Sequence, residues 1–140
     1  MGALRTLVVI EPGRAGNAAL EAARAHATRE GAEVTLVGVA PQVGSIRCGP
    51  SGEQYNDAVV DAVARDLFGA RDRLAAAGVH VTCRLLVDGR DPPLEEFAAA
   101  GGFGLILLPS RRPRWRHASH PSARRLIGLT HAEVRSIPRN

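Results

Sequence analysis

Apolar residues along this chain fall into two alternating rhythms. Short runs, unbroken or apolar at every second residue, read as strands; runs apolar every three or four residues read as helices. Leu4–Ile10 (LRTLVVI) is a β-branched run ended by Glu11-Pro12-Gly13, hence a first strand. Asn17–Glu30 is alanine-rich, opens on an Asn suited to capping and stops at Gly31, hence a helix. Val34–Ala40 (VTLVGVA) is a second strand, and Pro41–Gly52, rich in Gly, Pro and Ser, reads as a loop. Val60, Val63, Leu67, Ala70 and Leu74 then step by three and four along one face, with Gly78 closing that helix. Val79, Val81, Cys83, Leu85 and Val87 alternate with His80, Thr82 and Arg84, a strand with one wetter face. Pro92–Ala100 reads as a short helix, Leu105–Leu108 as a central strand, residues 121–130 as a last helix and Glu133–Ile137 (EVRSI) as a half-polar final strand.

The order is β-α-β-α-β-α-β-α-β over residues 1–140, long enough for one domain with a core of its own. Such alternation predicts a doubly wound five-stranded parallel sheet with helices on both faces, because each right-handed crossover must cover the sheet. Ligands of these sheets sit beyond the C-terminal strand ends where the winding reverses. That places Glu11–Gly16 and Pro109–His120 at the ligand position.

Charge changes the picture. All 18 basic residues are arginine, which removes every chemistry that needs a lysine, the P-loop and Schiff bases included. Residues 97–140 hold eight arginines against the single acid Glu133, whereas residues 1–96 hold ten against thirteen acids, so an anionic partner would be drawn to the C-terminal part. The plainer reading is solubility. No apolar run approaches the roughly 20 residues that cross a bilayer. The opening MGALRTLVVIEPG lacks the pattern of a signal peptide, and two cysteines make no disulfide framework, so a cytoplasmic location is expected.

Three stretches, LRTLVVIEPG, LVDGRDPPLEEFAAAGGFGLILLPSR and LTHAEVRSIP, make the chain resemble the universal stress protein family over nearly its whole length. The middle one is the most specific: a strand, Gly89, Asp91-Pro92, a short helix, then an apolar strand ending at Ser110. The resemblance implies a homodimer joined through the last strand and a role in stress physiology without catalysis. It also implies that Glu11 stands where an acid contacts base or ribose. In relatives that bind ATP, a loop runs Gly, two residues, Gly, nine residues, then Gly with Ser or Thr. Here that spacing lands on Pro109, Arg112, Ser122 and Ala123, and every glycine is gone. A one-residue gap puts Pro121-Ser122 at the terminal pair and recovers only the hydroxyl.

A phosphate cradle needs backbone N–H groups that no Cβ obstructs. Proline has no N–H to give, and arginine crowds the approach. The usual ATP grip is therefore not expected, and no cofactor is assigned. Guanidinium forks nonetheless bind phosphate without backbone help. Glu11, Ser110, Arg111, Arg112 and Ser122 are thus the candidate lining of a rival site, an anion or nucleotide sensor built from the arginine-rich loop 109–125.

Other chemistry is thinner. Trp115, between Arg114 and Arg116, could stack on a base, but a lone tryptophan more often packs over apolar surface, and nucleic acid is not the expected partner. His117 and His120 lack the further ligands zinc requires. Cys83 reads as packing, and Cys48 beside Arg47 as an exposed thiol. Ser110, Ser119 and Ser122 near those histidines lack a G-x-S-x-G elbow, so no enzyme is expected. A protein partner is a further expectation. The pairing edge falls on Val134, Arg135 and Ile137, and Arg135→Pro is expected to remove a ladder amide there.

Overall fold

Each apolar run finds its partner across one parallel sheet. The structure is a computed structural model that describes residues 5–10, 17–43, 45–109, 128 and 130–137. Strands β1 (Arg5–Ile10), β2 (Glu33–Ala40), β3 (Val81–Val87), β4 (Leu105–Pro109) and β5 (Glu133–Ile137) pair in the order β3-β2-β1-β4-β5, every pair parallel. Helices α1 (Asn17–Glu30), α2 (Ser45–Ala76) and α3 (Leu94–Ala100) supply the crossovers. The expected helix over 121–130 lies outside the described residues, apart from Gly128 and Thr130.

Alternation along the strands sorts the core into two layers. Val8, Leu36 and Leu107 point to one face, where Ala23 of α1 and Leu67, Ala70 and Leu74 of α2 cover them. Leu7, Val9, Val37 and Ile106 point to the other, under Leu94 and Ala98 of α3 and Phe103. The three- and four-residue steps read along α2 are its buried stripe, since Val63, Leu67, Ala70 and Leu74 are all within 2 % of full burial. Gly38 is needed for this packing: a Cβ there would stand 2.7 Å from Val63 Cγ1. Thr6 is fully buried on β1, and its hydroxyl has no partner among the described residues.

One expectation fails. Residues 45–52 are helical rather than loop, because α2 begins at Ser45 and runs 32 residues, about 48 Å at 1.5 Å per residue. Gly49 and Pro50 argue against a helix locally. Pro50 forfeits the amide that would have met the Ile46 carbonyl and crowds that carbonyl, a cost of about 3 kcal/mol that the long helix beyond it outweighs, because extending a nucleated helix is cheap. Asn56 also holds the approach in place: its Oδ1 accepts the Val43 N–H at 2.8 Å and its Nδ2 donates to the Val43 carbonyl at 3.0 Å. The helical signal at 60–74 was therefore the visible part of a longer element.

Candidate functional site

The chain winds outward from β1 through β2 to β3, and from β4 to β5 on the other side, so the reversal falls between β1 and β4. The two segments expected to flank the ligand follow Ile10 and Pro109, the last residues of those strands. Glu11, Ser110, Arg111, Arg112 and Ser122 all lie outside the described residues, as do Trp115, His117, Ser119 and His120, and so does the side chain of Cys48.

The described part of this rim lies beside the crevice, at the ends of β2 and β3. A cleft of about 440 Å³ opens there, with Val39, Leu86 and Leu94 as apolar floor and Asp88, Asp91 and Glu95 as its charged wall. The turn that shapes it is tightly specified. The Asp88 N–H extends the ladder to the Ala40 carbonyl at 3.0 Å, and the amides of Arg90 and Asp91 both reach the Val87 carbonyl at 3.0 Å. Gly89 takes φ 84°, the left-handed region that favours glycine. Asp91 then accepts the Val87 N–H at 2.8 Å through Oδ2. Among the described residues that line the cleft, the charged ones are all acidic. The sequence marked Gly89 and Asp91 as a motif, but the cleft itself carried no periodic signal.

The final strand needs a correction. Val134 packs with the α3 layer and Ile137 with the α1–α2 layer, so the two face opposite sides of the sheet. The Glu133 N–H donates to the Gly104 carbonyl at 3.0 Å, toward β4. In a parallel strand, successive residues direct their backbone groups to opposite sides. Arg135 therefore also points its amide at β4, and the outward amides belong to Val134 and Ser136. A proline at 135 would strike the internal ladder, contrary to expectation. Arg135 itself is exposed and paired with Glu133 at 3.1 Å.

Cys83 is half-buried on β3, its Sγ 3.9 Å from the Leu67 carbonyl. Burial pushes its thiol pKa up, the nearby Arg71 charge opposes that and Asp72 adds to it. Among the described residues no group of three metal-ligating side chains converges, and no helix is long and apolar enough to cross a membrane.

No protein-family model matches the chain, and no curated protein matches it. Solved structures do. A protein of the universal stress protein family from Burkholderia pseudomallei is 25% identical, with 95% of each chain covered and a TM-score of 0.68. The universal stress protein from Archaeoglobus fulgidus in complex with dAMP is 21% identical, covering 98% of this chain and 99% of that one, at 0.68. A universal stress protein family protein from Arabidopsis thaliana with AMP bound is 12% identical, covering 98% and 92%, at 0.60. The fold is the one these proteins share.

Proposed function

We propose that this chain, which has the universal stress protein fold, is a non-catalytic regulatory protein of the stress response that acts as a dimer and does not hold ATP in the usual way. One observation carries the reading: the chain leaves β4 at the winding reversal into Pro109-Ser110-Arg111-Arg112-Pro113, without a glycine before Gly128. Losing two or three charge-assisted backbone donors would cost on the order of several kcal/mol of phosphate binding. The test is equilibrium titration with ATP at low and moderate salt. Weak binding that salt removes for every anion alike supports the proposal, and saturable micromolar ATP binding at moderate salt overturns it.

The dimer rests on charge register along β5. Antiparallel pairing of two copies centred on Val134 sets Glu133 of each strand opposite Arg135 of the other, with the outward amides of Val134 exchanging hydrogen bonds. Ser136→Pro, which removes an outward amide and spares the ladder to β4, gives a monomer in light scattering. A mass unchanged from a wild-type dimer, or a wild-type monomer, refutes this interface.

A second reading has its own support. The structural relatives from Archaeoglobus and Arabidopsis hold dAMP and AMP, each with one phosphate. A single phosphate asks for fewer donors than a triphosphate, and Arg111 with Arg112 could supply them as side-chain forks, with Ser110, Ser122 and Glu11 around the nucleoside. Micromolar AMP binding that is lost in Arg111→Ala with Arg112→Ala selects this sensor reading.

A further inference from the structure

The sheet has a second edge, and its chemistry differs from that of β5. The His80 carbonyl accepts from Val34 at 2.9 Å and Asp88 donates to Ala40 at 3.0 Å, so even-numbered residues of β3 face β2. The backbone groups of Val81, Cys83, Leu85 and Val87 therefore point away from the sheet. Val87 is already satisfied, its N–H by the Asp91 carboxylate and its carbonyl by the 90–91 amides. Val81, Cys83 and Leu85 are left with N–H and C=O groups that no described residue takes.

Beside this edge runs an apolar flank of α2. Val60, Ala64, Phe68 and Arg71 lie four, four and three residues apart and share one side of the helix. Val60 and Leu85 both pack against the cluster of Ala40, Val63 and Val87, and the Arg71 charge acts on Cys83, so this is the side that borders β3. Phe68 is 47% exposed there, its ring under the Arg71 guanidinium at 4.9 Å. On the opposite face of the strand Arg84 is exposed, with no acidic partner among the described residues. A second copy answers this charge poorly. In antiparallel self-pairing Arg84 would meet Thr82, Leu86 or another Arg84, because VTCRLLV contains no acid.

The geometry points to the β3 edge as a docking site for an extended segment of another protein, apolar at alternate positions and acidic at those between. Its backbone would continue the ladder at Val81, Cys83 and Leu85. Its apolar side chains would lie against Val60, Ala64 and Phe68, and its acids would lie beside Arg84 on the other face. Asp91 closes the edge at its C-terminal end, which limits the added strand to the length those three residues can register. The site is separate from the winding reversal and from β5, so it stands or falls independently of the proposed function.

The probe is a fluorescein-labelled nine-residue peptide of alternating valine and glutamate, with threonine at both ends; a second peptide carries arginine in place of glutamate. Fluorescence anisotropy on the whole protein reads affinity, and amide chemical shifts read location. The glutamate peptide should bind saturably and shift the amides of Val81, Cys83 and Leu85. Arg84→Glu should weaken it about tenfold and strengthen the arginine peptide by a similar factor, as expected for a charge pair worth roughly 1.4 kcal/mol. Phe68→Ser should weaken both peptides. Arg84 and Phe68 are exposed, so both variants should keep the wild-type thermal midpoint. Equal binding by wild type and Arg84→Glu, or shifts confined to β5, would overturn the assignment. So would an assembly larger than a dimer that Arg84→Glu dissolves, since a second copy would then hold the edge.

Discussion

The two edges of this sheet each carry a central arginine and are otherwise unlike. On β5, Arg135 is already matched by Glu133 at 3.1 Å, and the same acid can serve a copy of the strand. On β3, Arg84 has no acid anywhere in its strand. Cover differs as well. The β3 edge is backed by α2 and ends in two buried residues, Leu86 and Val87, whereas no described residue of β5 is buried. A charge that its own strand can neutralise favours self-pairing, and one that it cannot favours a foreign partner. The lesson is that edge chemistry, read residue by residue, separates two surfaces that share the same backbone geometry.

The largest effect should come from removing the cover of β3. Leu67 is 1% exposed, packs with the core under α2 and sets its carbonyl beside Cys83. Leu67→Ala should cost about 2–5 kcal/mol of stability by chemical denaturation, as buried Leu truncations do. Val134→Ala, on the thinly covered edge, should cost about 1 kcal/mol or less in the monomer. Similar losses at the two sites would erase the asymmetry between the edges.

Next comes the stop at the end of β3. Asp91→Ala takes the acceptor from the Val87 N–H, and because Val87 is 8% exposed little water replaces it. The expected loss is about 1–3 kcal/mol, with faster hydrogen exchange at the Val87 amide. Exchange unchanged at that amide would mean the carboxylate is not what closes the edge.

Much of this was legible in the chain. Unbroken apolar strands such as Leu105–Leu108 and the 3–4 stripe of α2 carry their burial in their spacing, so the parallel sheet and its two covered faces followed. What escaped was set by contacts distant in sequence or by backbone direction. The helical state of residues 45–52 is settled by a long helix overriding Gly49 and Pro50, with Asn56 reaching back to Val43. Which amides of β5 face outward depends on the register of Glu133 against Gly104, which no single strand contains. The candidate anion site rested on arginines in a loop that lacks the cradle glycines, a signal in residue type alone, and the acidic cleft at Asp88 and Asp91 had no counterpart in periodicity.

A smaller effect tests the charge register at β5. Glu133→Arg would set arginine opposite arginine across the proposed dimer and weaken it, by about 0.5–1 kcal/mol per pair. Combining Glu133→Arg with Arg135→Glu restores opposite charges, so the double variant should dimerise nearly as well as wild type in sedimentation equilibrium. A double variant as weak as the single one would separate the dimer from this register.

The smallest effect is a pH dependence on the β3 side. Burial is the main cause that raises the Cys83 thiol pKa in the folded protein. The folded state thus disfavours the thiolate, and its contribution to stability is whole below the thiol's unfolded pKa, about 8.5. That contribution is lost as pH rises through the higher folded value. Because the group is only half-buried the change is slight, and it is best read as a difference. The thermal midpoint of wild type should fall more between pH 7 and pH 10 than that of Cys83→Ala. A docked strand over the β3 edge would bury the thiol further and move the fall to higher pH. A glutamate peptide that binds yet leaves the fall in place would put the contact away from Cys83.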